Sequence, residues 1–247
     1  GAAAKALGDG GVLSVKATSA NSAFSATASS DALGGRYAVR VDALASAAKA
    51  RSGAFASNDA LVRAGTLHLD LSGNGYDIAI NEGDTLAGVA NSINRSGAGV
   101  SAAIISDGTS SYLSVTNIDT GFALGAAPGS ALTFSETSTG ATGQPLALSI
   151  VSPATNALLN VDGLPIEQRS NDIVGVIPGV TMSLKATSAT AETLVLGNDA
   201  EGTAANVTKF VASYNDVIKV IQRQLSVDEA SKRSSTLAGD GAIRGLQ

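Results

Sequence analysis

The chain has 247 residues, with 16 Lys and Arg against 21 Asp and Glu, a formal charge of -5, one His and no Cys. An acidic balance with no basic run or ladder of stacking aromatics argues against a nucleic-acid partner, since phosphate backbones are held by clustered Lys and Arg. The lack of Cys excludes disulfides, thiolate metal sites and a cysteine nucleophile.

Apolar residues make up 44% of the chain, much of it Ala, while aromatics are 4% and Trp is absent. That composition predicts several small cores in two or three modules. No stretch is long and apolar enough to span a bilayer, and the N-terminal "GAAAKALGDGG" lacks the charged-then-apolar layout of a signal peptide. Export would need an address outside these residues or one read by another machine.

From Leu13 to Ser30 the chain is rich in Ser, Ala and Thr, which predicts weak strand and loop. "RYAVRVDALA" then alternates Tyr37, Val39 and Val41 against Arg36 and Arg40, the pattern of a half-buried strand. A Ser- and Ala-rich joint follows at Arg51 to Asn58. Beyond it, Leu67, Leu69 and Leu71 mark one strand, and Tyr76, Ile78 and Ile80 mark a second after a turn at Gly73 to Gly75. Leu86, Val89, Ala90 and Ile93 recur at helical spacing behind an Asp84 or Thr85 N-cap. "GVSAAII" and "YLSVTN" return to strand, so residues 58–117 read strand, strand, helix, strand, strand, a unit that closes a core by laying one helix on a sheet.

Gly121 to Pro145 reads as loop and weak strand. Asp162-Gly163 then joins "ALLNV" to "LPIEQ" as a two-residue hairpin turn. Ser170 or Asn171 is placed to cap a short helical turn over 172–174, which Pro178-Gly179 ends. "VTMSLKA" alternates Val180, Met182 and Leu184 against Thr181, Ser183 and Lys185. From Thr203 the period changes: Val207, Val211, Tyr214, Ile218, Ile221 and Leu225 are spaced four, three, four, three, four, and Phe210 and Val217 widen this seam. Such a stripe packs on its own neighbours or on another molecule.

Catalytic and metal signals are weak. His68 shares the polar face of its strand with Thr66 and Asp70, with no nucleophile elbow near it, and reads as a solvated strand residue. "DLSGNGYDIAINE" places Asp70, Ser72, Asn74 and Gly75 as in a calcium loop, but Asn81 stands where a bidentate Glu is required, so an ordinary hairpin is expected. "GDGAIRG" lacks the Lys and the strand-turn-helix setting of a phosphate loop. No cofactor, metal site or catalytic residue is predicted.

Taken in order, "YAVRVDALA", "GDTLAGVANSINRSGAGVSAAII", "NALLNVDGLPIEQRSNDIVGVIPGVTMSLKAT" and "FVASYNDVIKVI" resemble segments of the bacterial flagellar filament cap family, also called hook-associated protein 2. The resemblance covers nearly the whole chain, and "NVDGLPIEQRSN" is its most specific part. It implies a non-enzymatic protein at the filament tip, extracellular, exported without a cleavable signal peptide. It also implies flagellin and the filament tip as partners, self-association into a ring, and host glycans as an added adhesive target.

The implied fold is α+β, mainly antiparallel β, with two β-rich plate domains, one inserted in the other, on a partly helical leg. The leg would be 1–33 and 199–247, the first plate 34–57 and 145–198, and the inserted outer plate 58–144. Within the leg, Val207, Phe210, Val211, Tyr214, Val217, Ile218, Ile221 and Leu225 would form the packing or interface seam. Long heptad segments expected at both ends of the family are missing, so the chain looks like a trimmed central fragment. Other filament-associated proteins share the helix motif, and a hydrolase would have to use His68.

Overall fold

The computed structural model describes residues 13–20, 22–225, 227–228 and 233–234, with side chains as far as residue 222. Residues 1–12 of the N-terminal piece assigned to the leg, the "GDGAIRG" run and the Leu225 side chain lie outside what it describes.

Two hydrophobic cores form, each between antiparallel layers. In the first, β1 (Ser14–Ser19), β15 (Glu192–Asp199), β3 (Gly35–Ala43), β11 (Ala157–Val161) and β12 (Leu164–Gln168) make a five-stranded sheet in that order. A three-stranded sheet of β13 (Asp172–Val174), β14 (Val180–Leu184) and β2 (Phe24–Ala28) faces it. Alternation explains the packing: Val39 and Val41 of β3, Leu159 of β11 and Leu194 of β15 point inward against Met182 of β14, Ile173 of β13 and Phe24 of β2. Side chains from two inner faces thus interdigitate as in a β-sandwich.

The outer core is built from β4 (Lys49–Arg51), β5 (Gly65–Leu71), β6 (Asn74–Ile80), β7 (Val100–Ser106), β8 (Ser111–Asn117), β9 (Thr133–Ser138) and β10 (Ser149–Ser152). They form one sheet in the order β10-β4-β8-β7 and another in the order β6-β5-β9. Helix α1 (Leu86–Arg95) lays Leu86, Val89, Ala90 and Ile93 into this core. Thr85 is its N-cap, its hydroxyl accepting from Gly88 N at 3.1 Å. At its other end the Asn94 amide takes both backbone bonds of Ala102, Oδ1 accepting from N and Nδ2 donating to O, each at 2.8 Å. That pairing occupies the free edge of β7, where an exposed ladder invites another strand.

The hairpin at Asp162-Gly163 forms as expected, with φ values of 51° and 89° that give a type I′ turn. The other hairpin turns at Ser72-Gly73, φ 54° and 93°, while Asn74 and Gly75 already belong to β6. Asp70 accounts for the placement, because its carboxylate accepts from Gly73 N at 2.9 Å and closes the turn there.

Three expectations are corrected. Residues 172–174 are strand β13, with Ile173 opposite Met182, and not a helical turn. Asn171 is unavailable as a cap because its amide is engaged with Ala45, while Ser170 Oγ accepts from Asp172 N as a local turn. Strands β1 and β2, which the resemblance put in the leg, hydrogen-bond to β15 and β14 and belong to the first core. The outer core likewise reaches from Ala48 to Ala154, wider than the expected 58–144.

Each core should therefore be separately sensitive to cavities. Leu159→Ala in the first core and Leu67→Ala in the outer core each remove a fully buried side chain. Each is expected to cost about 2–5 kcal/mol, read as loss of amide exchange protection concentrated in its own core during urea titration.

Candidate interaction surface

Strand β15 runs straight into helix α2 (Ala200–Leu225). The junction is closed by Asp199, whose carboxylate accepts from Gly202 N at 3.0 Å, the bond expected of an N-cap. Ser14 of β1 braces the same turn, its N donating to Thr203 Oγ1 at 3.0 Å. Gly202 lies so close to Asp199 Oδ2 and Ser14 Oγ that a Cβ there would collide with both. The helix therefore leaves the first core in a direction set by its first turn.

Beyond that turn the helix is not covered. From Ala204 to Gln222 no side chain is buried. Val207, Val211, Tyr214 and Val217 are 45–56% exposed, and Phe210, Ile218 and Ile221 are half-buried. At 100° per residue all these positions, with Leu225, fall within about a third of the circumference. The helix thus holds the predicted residues on one face, and the described residues place nothing over them. Phe210 and Tyr214 lie a turn apart with ring centroids 6.4 Å apart. Val220, which the spacing did not include, is 53% exposed and lies outside that stripe.

The residues tested for chemistry do not assemble a site. His68 Nδ1 pairs with Asp77 on β6, and Ser135 of β9 stands opposite His68 in register, so Ser, His and Asp occupy adjacent strands. No hydrogen bond joins His68 to Ser135, and the ring's Nε2 edge lies over Gly75. A triad needs the base within reach of the nucleophile and donors for an oxyanion. Asp107 is held below the usual carboxylate range by the backbone N–H groups of Ser110 and Thr109 and by the Tyr112 hydroxyl. It thereby organises the turn between β7 and β8.

A second feature escaped sequence reasoning, the joint between the cores. Ser46 and Thr155 pair on the outgoing and returning chain, N to O at 2.9 and 3.2 Å, with their hydroxyls 2.8 Å apart. Asn171 grips Ala45 with both halves of its amide, at 2.8 and 2.9 Å. Buried Asn156 accepts from Phe122 N at 2.8 Å and donates to Glu167 at 2.6 Å. Asn156, Glu167 and Asn171 all lie in or beside "NVDGLPIEQRSN". The signal was present as polar residues inside a strand-rich run, but their partners are over a hundred residues away for Ala45 and on the other core for Phe122.

Removing the cap at the helix junction gives a local test. Asp199→Ala should cost about 1 kcal/mol, seen as faster amide exchange at Gly202 to Ala204, with protection in both cores unchanged.

Comparison with known proteins agrees with this architecture. The family described as flagellar hook-associated protein 2 C-terminus matches residues 154–247, and the flagellin hook IN motif matches residues 66–119. The B-type flagellar hook-associated protein 2 of Pseudomonas aeruginosa is 30% identical over 244 residues, 90% of this chain and 52% of the relative. The chain therefore spans about half the length of the curated relatives it matches. Among solved structures, the D1-D2-D3 domains of the flagellar cap protein FliD from Escherichia coli superpose with TM-score 0.76 at 26% identity, covering 100% of this chain and 70% of that one. The D2-D3 domains of the same protein give TM-score 0.64 at 28% identity, covering 75% of this chain and 100% of that one. Residues 154–247 thus belong to the flagellar hook-associated protein 2 family, and the chain as a whole follows relatives of that name in sequence and fold.

Proposed function

We propose that this chain forms the plates and part of a leg of a filament cap. In this reading it is a non-enzymatic protein at the distal tip of the bacterial flagellum, outside the cell, that promotes assembly of exported flagellin and limits its loss. The observation that carries it is the helix α2, which leaves a rigid β platform with an apolar seam uncovered. A helix hydrophobic along one stripe is stabilised by burying that stripe. Filament-tip subunits and further copies of the chain, arranged as a ring, are partners of the right kind. The likeness to the FliD structures supports the same assignment.

The division of labour follows the two cores. The first plate would comprise the strands from β1 to β3 and from β11 to β15, the outer plate the chain between Ser46 and Thr155, and the leg the helix from Ala200 onward. The seam of Val207, Phe210, Val211, Tyr214, Val217, Ile218, Ile221 and Leu225 is its contact face.

Deleting the complete gene in its own organism should abolish filaments while monomeric flagellin accumulates in the medium, with the intact gene restoring both. Normal filament growth in the deletion strain would sink the cap reading. Within the complete protein, Val211→Glu together with Ile218→Glu is expected to lower self-association in sedimentation velocity and to leave the thermal unfolding of the plates unchanged. Unaltered association would remove the seam from the interface.

A further inference from the structure

We propose that the joint between the plates is a rigid lock and not a hinge, with Gly121 as its closely fitted centre and Asn156 and Asn171 as its pins. Relative motion is the ordinary expectation for two domains joined by a small polar contact. The chain crosses between the cores twice, and the crossings pair at Ser46 and Thr155. A two-stranded ribbon of this kind resists stretching but bends across its own plane.

A third segment removes that freedom. Residues 120–122 come from the outer core and lie against the first: Gly121 N donates to Ser46 O at 3.0 Å, Thr120 Oγ1 to Arg169 O at 2.9 Å, and Phe122 N to Asn156 Oδ1 at 2.8 Å. The three acceptors are spread over the crossing chain at Ser46, the residue just before β11 and the residue just after β12. The approach is close because position 121 has no side chain. Its φ is +69°, and a Cβ there would press into Arg169 O, with Asn156 Oδ1 at 2.5 Å and Arg169 Cα at 2.8 Å. Two of those three atoms are backbone and cannot swing aside.

Each pin is itself held. Asn156 is 5% exposed, and its Nδ2 is fixed by Glu167, so its Oδ1 is aimed at Phe122. Asn171 is tied by its backbone O to Leu184 N of β14 at 2.8 Å, while its amide clamps Ala45 just before the crossing. Beside the joint lies a polar cleft lined by Tyr76, Asp119 and Arg169. Directional bonds, more than apolar area, therefore set the angle there.

This inference rests on the proposed cap role only for its consequence: plates locked at one angle would let copies meet in a ring while the leg helices adjust. The absence of native Cys allows spin labels at Thr109→Cys on the outer plate and Thr190→Cys on the first, both exposed. The parent chain should give a single narrow distance distribution by pulsed electron resonance. Gly121→Ala, and separately the pair Asn156→Ala and Asn171→Ala, should widen it, with circular dichroism confirming folded plates. A broad distribution in the parent overturns the lock, as does a parent-like width in both folded variants. In a deletion strain complemented with the complete gene, Gly121→Ala should reduce filament number. Loosened plates with normal filaments would leave the lock standing and count against the part of the cap reading that needs a fixed plate angle.

Discussion

The pairing of Ser46 with Thr155 is the constraint on which the rest of this structure depends. A domain inserted into another requires the outgoing and returning chain to sit side by side, because β3 and β11 are neighbours in the first sheet and cannot separate. The outer core is closed by β4 and β10, which leave and re-enter through the same gap and pair with each other. One ladder therefore runs from Val39 opposite Val161 to Arg51 opposite Ser149, interrupted where the chain changes core. Each core fixes the register at its own end of that ladder, since a slip of one residue would turn every inward side chain outward.

That dependence explains which elements could be read in the sequence. Long alternating runs with large apolar residues were legible: β3, β5, β6, β8, β11 and β14 each bury at least two of Val, Leu, Ile or Met at alternate positions. Helix α1 was legible because its apolar residues keep helical spacing behind Thr85. Strands β4 and β13 were not, because three residues with one buried position carry no period. Strands β1 and β2 are built mainly of Ser, Ala, Thr and Lys, so their membership of the first core is decided by partners far away in sequence. The limits of the outer core are hidden for the same reason: Ala48, Ala50 and Ala154 are buried in it, and alanines do not announce which core they fill.

The candidate surface divides similarly. Spacing alone identifies the seam on α2, because 3.6-residue periodicity is a local property. What packs on that face is not a local property, and among the described residues Val207, Val211, Tyr214 and Val217 stay exposed. Asp199, which sets where the helix starts, is an ordinary carboxylate in sequence and becomes a cap only because Ala200 follows β15 without a loop.

Three of the structural asparagines, Asn94, Asn156 and Asn171, follow from one physical requirement. Wherever a strand loses its neighbour, a peptide donor and acceptor are left unpaired, and burying them unpaired costs more than forming the bond returns. A primary amide presents a donor and an acceptor in nearly the geometry of a peptide group. Asn94 serves Ala102 at the edge of β7, and Asn171 serves Ala45 where the chain leaves the first sheet. Asn156 divides its two functions between Phe122 and Glu167 and so couples the plates. Asp would keep the acceptor and lose the donor, and Leu would lose both. The polar punctuation of this otherwise alternating region is thus the means by which one chain makes two cores and keeps them joined.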